Sequence, residues 1–134
     1  MAEIDPAGTS LRYATYLSGN TDDAGTGIAV DALGDAFVAG TIARNLNMAE
    51  SAGAVTFVVT KGARYTTFNV NGDGFLTELN RGGTGAVSST LLGGVVSSKI
   101  ALSPRGRPAL TGSATRDDPQ VAQANDTWFV VRSL

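Results

Sequence analysis

The stretch Asn69 to Phe75, NVNGDGF, sets side-chain oxygens at alternating positions ahead of a glycine. That is the spacing by which a short loop surrounds a hard cation such as calcium. Asn69, Asn71 and Asp73 are the candidate metal ligands, with Glu78 or Asn80 as the later oxygen. The first ligand position holds Asn in place of Asp, and the twelfth holds Asn80 in place of a bidentate Glu. An acid expected in a shorter loop is replaced by Thr77. The charge is low, so weak calcium binding is the most this loop would support. The same residues also spell an Asn-Gly/Asp-Gly turn, which leads into a strand with no metal at all.

Other acids stand in pairs. Asp22-Asp23 and Asp117-Asp118, the latter followed by Pro119, could share acid–base work or a cation. Loop solvation and Asx-turn bonding are the expected role of both pairs. Asp31 and Asp35 flank a tight turn, where capping is the expected role. Nucleophilic catalysis is poorly served, because the chain has no His to act as a base near neutral pH and no Cys. Ser98-Lys99 is an adjacent pair without a third partner, and the glycines of Gly82 to Gly85 precede no helix that would cradle phosphate. No catalytic residues are assigned, and the chain is expected not to be an enzyme. The aromatic residues fall mostly on expected strands and read as core. Tyr13 and Tyr16 are the two that could line a carbohydrate- or partner-binding surface.

These residues sit in a chain of 134 residues with 17 Gly and 4 Pro, 43% hydrophobic and 16% charged. Its length fits one domain. Many turns and short strands are implied, and no run keeps a 3.6-residue period over three turns. A net charge of −2 with dispersed Lys and Arg supplies no basic field for nucleic acid. No apolar run approaches the ~20 residues that span a bilayer as a helix. MAEIDPAG has neither a basic start nor an apolar core, so it does not read as a signal peptide. Either a cytoplasmic protein or one that has lost a leader is expected, and the absence of Cys leaves the compartment open.

The organising stretch is residues 23–41, DAGTGIAVDALGDAFVAGT, a hairpin that turns at Leu33-Gly34. Gly27 to Thr41 aligns without gaps on Lys99 to Ser113, 72 positions later, and Ile4 to Gly19 aligns on Leu79 to Gly94, 75 positions later. Phe75 to Leu79 aligns on Phe129 to Ser133, 54 positions later. A degenerate repeat follows, with matching segments 4–41 and 79–113 in one all-β domain, 1–134. Each unit reads as four strands, in the first unit about 26–31, 35–41, 74–79 and 84–92. The segment 42–72 is an insertion, with an added hairpin expected over 55–60 and 65–70.

The phrases Asp5-Pro6-Ala7-Gly8, Thr15-Tyr16-Leu17, Asp22-Asp23 and Ile28-Ala29-Val30-Asp31, with Gly34 and Gly40, closely resemble the bacterial SBBP family of β-propeller repeats. The second copy is eroded, with Val95 to Ser98 and Arg105 to Pro108 replacing the family's linker and turn. The resemblance implies four-stranded antiparallel blades, usually in extracellular or cell-surface proteins, and no general catalytic activity. Propellers close with four to eight blades, and this chain has repeat content for two. It reads as opening on a fourth strand (Thr9 to Leu17) and ending in a third (Trp128 to Ser133). Two propeller-like blades completed by oligomerisation are therefore expected, as a homo-oligomer of three or four chains joined at the terminal strands. The alternative is a monomeric β-sandwich or closed barrel. The expected function is a non-catalytic structural or interaction module. The alternative is a weak calcium- or carbohydrate-binding surface domain.

Overall fold

Gly34 at φ 90° and Gly106 at φ 73° turn two hairpins that are copies of one another. A left-handed backbone is available to glycine without a Cβ penalty, which is why a glycine recurs there. Each turn closes by the same bonds: Gly34 N–H donates to Asp31 C=O at 3.2 Å and Gly106 N–H to Ser103 C=O at 2.9 Å. The cap is conserved in geometry although its chemistry changes. Asp31 Oδ1 accepts from Asp35 N–H at 2.9 Å, and Ser103 Oγ accepts from Arg107 N–H at 3.0 Å.

The computed structural model describes residues 1–43, 56–69, 72–114 and 127–131. They form strands β1 (Ala2–Ile4), β2 (Leu11–Ala14), β3 (Asp23–Val30), β4 (Ala36–Ile42), β5 (Asp73–Leu79), β6 (Ala86–Leu91), β7 (Val95–Leu102), β8 (Pro108–Ala114) and β9 (Thr127–Val131). The described residues contain no helix. The strands make three antiparallel sheets in chain order, β1-β2, β3-β4-β5-β6 and β7-β8-β9, and none of the three closes into a barrel.

The registers extend the repeat beyond what the sequence alignment reached. Asp23 pairs with Ile42 in one hairpin and Val95 with Ala114 in the other, and both first strands carry a bulge at the same place, Gly25/Gly27 and Ser97/Lys99. Likewise Glu3 pairs with Tyr13 as Glu78 pairs with Ser88, each with the bulge one residue later. The chain therefore opens on β1, a third-strand equivalent, and not on a fourth strand as its sequence suggests. A second correction concerns β9. Gly40 pairs with Phe75 and its counterpart Gly112 with Trp128, so Phe75 corresponds to Trp128, 53 positions on, and not to Phe129. A one-residue slip of this kind exchanges the two faces of a strand.

The central sheet is packed on both faces, except along β3, where Ile28 and Val30 are exposed. Ala39, Leu76, Leu92 and Leu110 form one core cluster, joined by Val95 and Ile100. Here β7 packs across the central sheet so closely that a Cβ on Gly27 would stand 2.9 Å from the Ile100 side chain. Polar bonds fix the same contact: Ser97 Oγ donates to Gly40 C=O at 2.9 Å. The opposite face carries Val38, Ile42, Phe75 and Leu91, packed by Met1, Leu17, Phe57, Val59, Tyr65 and Phe68. Phe57 stacks on Phe75 with ring centroids 4.4 Å apart.

The described part of the insertion, 56–69, forms no strand, contrary to the hairpin expected there. It runs beside β6 and occupies that strand's outer edge. Thr60 N–H donates to Ser89 C=O at 3.0 Å and Leu91 N–H to Tyr65 C=O at 3.2 Å. An open strand edge is thereby covered without a fifth strand.

Candidate interaction surface

Of the residues singled out as a calcium loop, Asp73 and Glu78 stand at opposite ends of β5. Asp73 is fully buried at the start of β5. Its Oδ1 accepts from the backbone N–H groups of Gly74 (2.8 Å), Leu92 (3.2 Å) and Gly94 (3.0 Å), and its Oδ2 from Asn69 N–H at 3.2 Å. Four backbone N–H donors thus hold the carboxylate toward the chain, three of them on Oδ1. The carboxylate ties the third strand to the link between the central sheet and β7. Burial raises its pKa, against the four amides that pull it down. Glu78 lies five residues further along β5, on the opposite face and about 16 Å away at the strand rise. Its Oε2 accepts from Ser88 Oγ at 2.9 Å. Asn71 lies outside the described residues. Asn80 holds the β5–β6 turn, its Oδ1 accepting from Thr84 N–H at 3.0 Å. Among the described residues no three Asp, Glu, His or Cys side chains gather as a metal site requires.

The acid pairs likewise serve backbone geometry. Asp23 Oδ2 accepts from Gly19 N–H, and its Oδ1 from Thr21 Oγ1 at 3.1 Å, while Asp22 offers its carbonyl to Ala43 N–H at 2.9 Å. Asp31 Oδ1 caps its turn by accepting from Leu33 N–H at 2.8 Å as well. Asp117 and Asp118 lie outside the described residues. Thr77, where an acid was wanted, is buried on β5 and bonded to Ser89 at 2.7 Å.

What the structure does present is an uncovered apolar strip on β3. Ile28 and Val30 are 55% and 60% exposed, on the face they share with their partners Val38 and Ala36. Two cavities open along this strip. One, of about 420 Å³, is lined by Met1, Leu17, Gly27, Ile28, Val38 and Phe75 among others. The other, of about 380 Å³, lies between the β1-β2 hairpin and β3, and is walled by Ile28, Val30 and Ala36 with Glu3, Arg12, Tyr13, Asp31 and Arg81 at its polar side. Glu3 and Arg12 form an ion pair at 2.8 Å. Burial, then the negative charge of Glu3, raises the Tyr13 pKa. Tyr13 lies against Gly83, where a Cβ would stand 2.2 Å from its ring, so this tyrosine is a packing residue that also borders the cavity. Tyr16 is 99% exposed and borders neither cavity. In the sequence Ile28-Ala29-Val30 is an unbroken apolar run, a pattern that suits a strand buried on both faces and conceals the exposure of Ile28 and Val30. The signal that would have found them is their place on an edge strand whose one face only is covered by a copy of itself.

No family model, no curated protein and no solved structure matches this chain.

Proposed function

We propose that the chain is a non-catalytic structural and interaction module of the β-propeller type, similar to SBBP repeats, that associates with further copies of itself through its terminal strands. The observation that carries this reading is the residue-by-residue recurrence of registers and bulges in β1-β2 with β5-β6, and in β3-β4 with β7-β8. It makes the three sheets portions of one four-stranded unit: strands three and four, then a whole unit, then strands one to three. Stacked units of this kind are how propeller blades meet. Support for a non-catalytic role comes from the acids: Asp23, Asp31 and Asp73 accept bonds from backbone amides and so hold loops in shape.

The third sheet ends at β9, whose described neighbour is β8 alone. An open edge of this kind invites a strand from another chain. In the proposed assembly β9 of one copy lies beside β2 of the next, in the place that the three-residue β1 holds here. The contact is head-to-tail, and three or four copies would close a ring. Light scattering across a concentration series tests it. A mass of three or four chains is expected, and a single-chain mass at every concentration would refute self-association.

A further inference from the structure

We infer that the exposed strip on β3 is the receiving half of a second, face-to-face contact, and that its occupant is the outer face of β7-β8 from another copy of this chain. The inference rests on the self-association proposed above and names the surfaces that carry it.

The argument comes from a contact already present within the molecule. There, Gly27 and Ala39, on the face of β3-β4 that also carries Ala29 and Phe37, meet Ile100 and Leu110 on the inner face of β7-β8, where Leu102 pairs with Pro108. Moving 72 positions along the repeat converts each half of this contact into a surface that the described residues cover only in part. The counterparts of Ile100, Leu102, Pro108 and Leu110 in the first unit are Ile28, Val30, Ala36 and Val38, which form the strip. The counterparts of Gly27, Ala29, Phe37 and Ala39 in the second unit are Lys99, Ala101, Ala109 and Thr111, on the outer face of β7-β8. Lys99 and Ala101 are exposed there.

The two surfaces therefore stand to one another as the halves of the internal contact do. Each chain carries one of each, on opposite sides of the molecule, so docking is head-to-tail and continues the internal stack. It also fits the strand exchange. The β1-β2 hairpin covers part of the Val38 face, and β9 of a second copy beside β2 would bring β7 and β8 over the rest. Lys99 in place of Gly27 widens the spacing at one end, with its aliphatic stem lying along Ile28 and its ammonium reaching water at the sheet edge.

Two surface substitutions test this without touching the core. Val30→Arg blocks the strip and leaves the β7-β8 face intact; Ala101→Arg does the reverse. Light scattering should give a mass of three or four chains for the parent protein and of one chain for each variant. An equimolar mixture of the two variants should give two chains, because one intact surface of each kind remains. Thermal melting of both variants should match that of a dissociated parent. If the parent assembles and both variants still assemble, or if their mixture stays at one chain, the face-to-face contact is refuted while strand exchange survives. If the parent itself stays at one chain, as it would were the strip covered by a preceding repeat of a longer chain, both readings fall together.

Discussion

Gly40 lies under the ring of Phe75: a Cβ at Gly40 would stand 2.4 Å from that ring and 2.3 Å from the carbonyl oxygen of Ala24. The second obstacle is backbone and cannot swing aside. Gly112, the counterpart of Gly40, meets the carbonyl of Val96, the counterpart of Ala24, at the same 2.3 Å. The bulge in the first strand of each unit brings that carbonyl over its neighbour. Gly40→Ala is expected to cost about 2–3 kcal/mol or more, through overpacking against a rigid group. Urea denaturation checks it, and Gly25→Ala, where the nearest atom is a Val38 methyl at 3.9 Å, serves as the tolerant control.

The Thr77–Ser89 pair has a fixed direction. Ser89 Oγ lies 2.6 Å from Val58 C=O, which can only accept, so the Ser89 proton goes there and Thr77 donates to Ser89. Ser89→Ala strips a partner from the buried Thr77 hydroxyl and from the part-buried Val58 carbonyl and should destabilise by about 2 kcal/mol, while Thr77→Val leaves the Val58 bond in place and should cost about 1 kcal/mol. The two midpoints by chemical denaturation would be compared, and the reverse order would refute the assigned proton.

Asp73 is expected to be replaceable by nothing smaller or neutral. In Asp73→Asn one carboxylate oxygen becomes an NH₂ group among amide donors. Leaving one or two buried N–H groups unpaired costs on the order of 2–4 kcal/mol. The melting temperature of Asp73→Asn should fall accordingly, and millimolar calcium should not raise that of the parent protein, since the carboxylate is already engaged.

Asp5 offers a pH readout. Bonds from the Ser10 hydroxyl, then from Thr9, hold its carboxyl well below the usual aspartate range. A depressed pKa in the folded state gives stability that is present above the unfolded value and lost as pH falls towards the folded one. Asn80 occupies the same position in the β5–β6 turn, with its Oδ1 bonded to Thr84 N–H. Asp5→Asn should therefore keep the turn near neutral pH and lose part of the acid sensitivity, whereas Asp5→Ala should lower stability at neutral pH as well. Melting temperatures from pH 2 to 7 separate the two.

Much of the sheet pattern was legible because turn chemistry and apolar runs coincide. Gly34 and Gly106 mark both hairpins, and their strands begin and end within about three residues of where the sequence puts them. The third strand of the second unit was misaligned for a definite reason: Trp128-Phe129 offers two aromatic residues against the single Phe75, and matching Phe to Phe selects the wrong face. β1 escaped notice because three residues are too few to show alternation. The insertion misled because Val58, Val59 and Thr60 have strand propensity, yet their segment runs along the edge of β6 with no ladder of its own. The orientation of Asp73 was not legible, since spacing along a chain says nothing about whether a carboxylate turns outward or inward to amides, as it does here.

The two sheets are joined by polar bonds as well as by apolar contact: Ser97 reaches across to Gly40, and Asp73 grips the link that leads from one sheet to the other. Repeat arrays whose units touch through side-chain packing alone can melt from an end, one unit at a time. Here the first unit cannot open without stranding the buried hydroxyl of the second, nor the linker detach without exposing a desolvated carboxylate. These two sheets should therefore exchange their amide hydrogens in a single global event, β3-β4-β5-β6 together with β7-β8.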